Sequence, residues 1–145
     1  MNYKNINTGE IAIFGGIPDG NWILATQDEI NSDILQKSQT AAIAQVKSAR
    51  DIFRYKNISY NGSTYIATDT AKNQLANKIS QGVFPFQWSD TNYVIQSLTQ
   101  SQAIGLQAVM LVQEDSAHLQ ASNYIIEIKA CTTPAQIAEI PINFV

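Results

Sequence analysis

From Asn57 to Gln102 the apolar positions come in short runs between turn residues, and they predict hairpin, helix, hairpin, helix. Ile58–Tyr60 and Thr64–Ile66 flank Asn61-Gly62. That pair suits a two-residue turn because both turn positions need positive φ. Thr68-Asp69 predicts the start of a helix and Gly82 its end. A hydroxyl or carboxylate accepts from the first unpaired amides, and glycine enters the left-handed conformation without strain. Phe84–Trp88 and Tyr93–Leu98 predict a second hairpin around Ser89–Asn92, and Thr99 opens the next helix.

Helical periodicity dominates on either side of this block. Thr26 and Glu29 form a capping box, and no glycine or proline follows until after Arg54. Ile30, Ile34, Ala41 or Ala42, Val46, Ala49 and Phe53 recur at spacings of three, four or seven, which predicts one amphipathic helix. At 1.5 Å per residue it would be about 42 Å long. Thr99 and Gln102 cap another helix that carries Ile104, Ala108, Leu111, Val112, Asp115, Leu119, Ser122, Ile125 and Ile126 and reaches to about Cys131. Its length would be about 48 Å, and Gly105 weakens its first turn slightly. Thr133-Pro134-x-Gln136 caps a short helix to Glu139, with proline at its favoured first position.

The first 25 residues are less regular. Residues 1–9 are polar and read as irregular. Ile11–Phe14 and Trp22–Leu24 are short apolar runs separated by Gly15-Gly16 and Pro18-Asp19-Gly20. They predict a small N-terminal hairpin or arm over 1–25, followed by a helix-hairpin-helix-hairpin-helix domain over 26–145. The expected class is α+β: a long N-terminal helix, two short hairpins forming a small antiparallel sheet with a helix between them, and a long C-terminal helix. A compact chain of 145 residues is about 38 Å across. Two helices longer than that predict an elongated molecule. Helix faces rich in Ala, Ser and Gln that project from a small β module are poorly buried alone. Packing against further copies is the simplest remedy, so a homo-oligomer is expected. The candidate interaction surface is Ile34, Leu35, Ala42, Val46 and Phe53 on the first helix and Leu111, Leu119 and Ile126 on the other.

Composition narrows the function classes. Only 14% of residues are charged, and Asn, Gln, Ser and Thr supply much of the polar surface. Net charge is −3, and the nine basic residues form no stripe. Lys47, Arg50, Arg54 and Lys56 cluster near a helix C-terminus, where cations complement the macrodipole. No nucleic-acid partner is expected. No apolar run is long enough to span a membrane, and the N-terminus lacks the apolar core of a signal peptide. The single cysteine, Cys131, excludes an internal disulfide.

No catalytic constellation emerges. His118 is the only histidine, with Glu114 one turn before it. A zinc site needs further ligands, and none lies near in sequence. Gly15-Gly16 precedes Ile17-Pro18 rather than a Lys-Ser or Lys-Thr pair, so it is no phosphate loop. No enzyme activity, metal or cofactor is expected. The aromatics Tyr60, Tyr65, Phe84, Phe86, Trp88 and Tyr93 crowd the hairpins. Phe84, Phe86 and Trp88 share one strand face at period two, which favours a core. Tyr65, Trp88 and Tyr93 are the candidate platform for a glycan or other small ligand.

The block resembles a domain-of-unknown-function family found in bacteriophage tail-fibre and tail-fibre-assembly proteins. The features that carry the resemblance are Ile58-Ser59-Tyr60-Asn61-Gly62-Ser63-Thr64-Tyr65-Ile66-Ala67-Thr68-Asp69, then Phe86-Gln87-Trp88-Ser89-Asp90, then Leu98-Thr99-Gln100. Ala49-Arg50-Asp51 and Ile17-Pro18-Asp19-Gly20-Asn21-Trp22 are similar to segments of the same family. The resemblance implies a phage or prophage tail protein whose partners are tail-fibre or other tail proteins. It would act in the host cytoplasm during assembly, as a chaperone or accessory protein, or in the virion tail as a structural trimer. The shared motifs are structural, so the resemblance transfers no site residues.

Overall fold

A computed structural model describes residues 1–145. The elements run β1 (Asn2–Asn5), β2 (Ile11–Ile13), β3 (Trp22–Leu24), α1 (Gln27–Arg54), β4 (Ile58–Tyr60), β5 (Ser63–Tyr65), α2 (Asp69–Gln81), β6 (Phe86–Ser89), β7 (Ile95–Leu98), α3 (Gln100–Ala130) and α4 (Pro134–Ala138). The fold is α+β: α1 and α3 pack together beside three small antiparallel sheets. Both long helices are unbroken, at 28 and 31 residues. The chain divides into two compact units, 1–44 with 126–141 and 45–125 with 142–145.

In the first unit the sheet order is β2-β1-β3, so β1 is the central strand. Tyr3 pairs with Ala12 on one side and Leu24 on the other. The expectation of an irregular 1–9 fails here. Tyr3 is the one buried side chain of β1, so this strand shows no alternation in sequence, and its pairing comes from distant segments. Phe14 packs edge-on against both Tyr3 and Trp22, at 5.9 and 4.9 Å between ring centres. The Asn5 side chain accepts from the amides of Asn7 and Thr8 and turns the chain out of β1.

Glu29 joins this sheet to α1. Its carboxylate accepts from the Thr26 amide, closing the capping box, and pairs with Lys4 at 2.7 Å. The Lys4 hydrogen bond, helped by the Thr26 amide, lowers its pKa. Farther along α1, the Gln39 amide donates to the carbonyls of Ile128 and Cys131, at 3.3 and 3.2 Å. Those carbonyls lie where a helix runs out of its own amide partners. Thr133 and Gln136 cap α4 reciprocally, as their spacing predicts.

The second unit holds both hairpins. Asn61 and Gly62 have φ of 48° and 80°, and Tyr60 pairs directly with Ser63. That two-residue turn starts β5 one residue earlier than the apolar run suggests. Thr68 caps α2 by accepting from Ala71, and Gly82 ends it at φ 68°. The second hairpin is shorter than expected: Ser89 pairs with Ile95, leaving 90–94 as the loop. Asp90 organises this loop. Its buried carboxylate accepts from the amides of Asn92 and Val94, at 2.8 and 3.0 Å.

The two hairpins do not form one sheet, contrary to expectation; each is a separate two-stranded ribbon. A hydrogen bond from the Thr91 amide to the Thr64 carbonyl links them. Their common attachment is the core. Each ribbon contributes a cross-strand pair, Ile58 with Tyr65 and Phe86 with Leu98, to a cluster with Leu75, Ala103, Leu106 and Met110. Side-chain burial against α2 and α3, rather than edge pairing, holds strands this short. Gly105 of α3 lies against the Tyr60 ring, and a Cβ there would sit 2.9 Å from Tyr60 Cζ.

Candidate interaction surface

Two faces of α3 are apolar. The inward face carries Ala103, Leu106, Met110, Ala117, Ala121 and Ile128, all buried. The other carries Ile104, Leu111, Val112, Leu119 and Ile126, which are 47–67% exposed. At about 100° per residue the two stripes lie on nearly opposite sides of the helix. Val112, Leu119 and Ile126 repeat every seven residues, and Ala108, Asp115 and Ser122 fall between them. This spacing keeps one seam facing a helical partner. A stripe of large aliphatic side chains this long is unusual for a helix facing water.

Of the candidate contact residues, Leu111, Leu119 and Ile126 therefore lie on the open face of α3. Ile34 on α1 is also exposed, while Leu35 and Phe53 are half-buried. Ala42 and Val46 are corrections. They are 9% and 0% exposed and belong to the core, so neither is available to a partner. The periodicity of α1 marked its inward face. The stripe read along α3 is instead its outward face, because large aliphatics occupy both sides and size alone does not say which side packs.

The aromatic platform does not assemble. Tyr65 is 2% exposed and part of the core, so it is withdrawn as a ligand residue. Its strand register points it inward opposite Ile58. Trp88 packs on that core and borders a groove of about 320 Å³ with Thr68, Thr70, Gln74, Gln87 and Ser89. Tyr93 is 88% exposed at the hairpin tip, with φ 61°, and does not line this groove.

A charged cluster flanks the open face of α3. Arg54 binds Asp69 and Glu114, each at 2.8 Å, and Lys72 binds the second oxygen of Glu114 at 2.7 Å. The Tyr55 hydroxyl donates to Asp69 at 2.6 Å, and the Arg54 guanidinium lies over the Tyr55 ring. The Lys72 hydrogen bond lowers the Glu114 pKa, and the Tyr55 hydroxyl does the same for Asp69. The Asp69 hydrogen bond raises that of Tyr55. Positive and negative groups balance, so the cluster ties the end of α1 and the start of α2 to the middle of α3. Beside it, Asp69, Lys72, Asn73, Gln107, Met110 and Glu114 line a groove of about 340 Å³. His118 stands 3.8 Å from Glu114, whose oxygens Arg54 and Lys72 already hold. Sequence reasoning missed this cluster, since its partners lie 15, 42 and 60 residues apart. The legible signal was Arg54 in the last turn of α1.

No helix is long and apolar enough to cross a membrane. No family model matches the chain, and comparison with curated proteins and with solved structures gives no match.

Proposed function

We propose that this chain is a bacteriophage or prophage tail protein that works by protein–protein contact, as a tail-fibre assembly chaperone or accessory protein. The exposed stripe Ile104, Leu111, Val112, Leu119 and Ile126 carries the reading of contact as its task. The resemblance of the Asn57–Gln102 block supplies the tail context. Burying a large aliphatic side chain is worth about 1.5–3 kcal/mol, so a partner helix covering even part of this stripe gains several kcal/mol.

A second copy of α3 is the occupant this face suits, arranged antiparallel. A parallel pairing sets Asp115 against its own copy, and like charges repel. An antiparallel pairing centred near Ala117 sets Ala108 opposite Ile126, Val112 opposite Ser122 and Asp115 opposite Leu119. Each of the first two layers then joins a large and a small side chain. The resulting oligomer would act on tail-fibre or other tail proteins during assembly in the host cytoplasm.

Light scattering across a concentration series tests the contact. The expected result is an oligomer for the natural chain and a folded monomer for Leu119→Asp. A natural chain that stays monomeric throughout overturns self-pairing. Mass spectrometry of purified phage particles tests the role: absence fits a chaperone, and stoichiometric presence replaces it with a structural tail component.

A further inference from the structure

β6 is paired along one edge only, by β7. The Asp90 amide donates to the Val94 carbonyl at 3.0 Å, which fixes the phase of that ladder. Bonded and non-bonded positions alternate between antiparallel strands. Trp88 and Phe86 therefore bond to Gln96 and Leu98, while the amides and carbonyls of Gln87 and Ser89 point away from β7. No other backbone group of the chain bonds to them, and both residues are exposed. The same alternation in the first hairpin turns the Thr64 carbonyl outward, and there the Thr91 amide takes it at 2.8 Å. The outward groups of Gln87 and Ser89 have no such partner.

This free edge borders the groove of about 320 Å³. Gln87, Trp88 and Ser89 all line it, and the rest of the lining includes Ile66 together with Thr70 and Gln74 of α2. Side chains of successive strand residues point to opposite faces. Three in a row can share one groove only because it runs along the backbone edge. Strand edges are commonly blocked by lysine, proline or a bulge. β6 contains none of these, and its register with β7 is one-to-one. The unpaired groups of Gln87 and Ser89 repeat at about 7 Å, two residues of strand rise, which is the repeat of another extended backbone.

We propose that the β6 edge and the start of α2 form a docking groove for an extended segment of a partner protein, which joins the ribbon as a third strand. Its backbone bonds to the amides and carbonyls of Gln87 and Ser89. Main-chain hydrogen bonds give hold in this mode, and alternate side chains give selectivity. The segment is uncharged, because no charged residue lines the groove and a bare charge would lose its hydration there. Aliphatic side chains at alternate positions suit Ile66, which is 47% exposed, and the half-buried Trp88. The groove shares no residue with the exposed stripe of α3, so docking here does not depend on pairing between copies.

The test selects peptides from a random heptapeptide display library on the full-length chain, after depletion on Gln87→Pro. Proline removes an outward amide and leaves the bonds to β7 in place, as on edge strands generally, and circular dichroism melting checks the fold of each variant. Recovered peptides should be uncharged and aliphatic at alternate positions. They should bind Gln87→Ala, which keeps the backbone amide, nearly as well as the natural chain. Gln87→Pro, and Thr70→Trp, which fills the groove from α2 without touching β6, should each weaken binding about tenfold or more. On the natural chain, saturating peptide should slow amide hydrogen exchange at Gln87 and Ser89 about tenfold or more, with a smaller change at Trp88, whose amide is already bonded. No enrichment after depletion, equal binding by Thr70→Trp, a loss in Gln87→Ala as large as in Gln87→Pro, or unchanged exchange at Gln87 and Ser89 would each overturn strand addition.

Discussion

Replacing Gly105 by alanine should destabilise this protein, although alanine is the better helix former. Gly105 lies inside α3, where the exchange alone gains about 1 kcal/mol of helix propensity. The added Cβ would stand 2.9 Å from Tyr60 Cζ and 3.3 Å from Cε2, with the hydroxyl oxygen nearer still. The ring therefore has to move as a body. Tyr60 follows the paired Ser59 and precedes a turn at positive φ, and it packs against the core cluster, so little slack exists. Overpacking of this kind costs about 1–3 kcal/mol. The expected balance is a loss of about 1 kcal/mol, or roughly 4 °C in melting temperature for a chain of this size. Urea unfolding followed by the fluorescence of Trp22 and Trp88, with calorimetry alongside, measures it. In a Tyr60→Ala background the same Gly105→Ala change should become stabilising, because the obstructing ring is gone. A stabilised Gly105→Ala in the natural background would refute the close approach, and additive single effects would refute the pairing with Tyr60.

Acid should loosen the charged cluster. Glu114 and Asp69 have folded pKa values lowered by Lys72 and by Tyr55 respectively. Their contribution is therefore full above the ordinary carboxylate range and is lost as pH falls through the folded values. Urea midpoints should drop below about pH 4.5, and Glu114→Gln should flatten that slope; an unchanged slope in this variant would exclude Glu114 as its source. Asp90→Ala leaves the amides of Asn92 and Val94 without their acceptor and should cost about 1–3 kcal/mol, read as a urea midpoint shift, whereas a change within about 0.5 kcal/mol would show that water replaces the carboxylate. Leu75→Ala, at a fully buried position of α2, should cost about 2–5 kcal/mol, and a smaller loss would mean that the core collapses around the gap.

Local chemistry explains why so many elements could be read without coordinates. Asn61-Gly62, Thr68, Gly82, Thr99 with Gln102, and Thr133 with Gln136 each act within four residues of themselves. Turns and caps are therefore written where they occur. β1 was missed because its partners supply its order: one buried tyrosine among polar residues carries no local period. The second hairpin shortened because the Asp90 carboxylate captures the amide of Val94, which the expected strand from Tyr93 would have used in pairing, together with that of Asn92 in the turn.

The candidate surface divides along the same line. By itself the sequence determined the long helices, their caps, the turns and the two hairpins, since each depends on neighbours in the chain. Only the tertiary structure decided which apolar stripe of α3 faces the core, that Ala42, Val46 and Tyr65 are buried, and that the hairpins remain separate ribbons. It also decided that Arg54, Asp69, Lys72 and Glu114 meet, and that Gln120 and Tyr124 hold residues 142–145. These outcomes rest on contacts between distant segments, where burial and partner geometry choose among side chains that look equivalent along the chain.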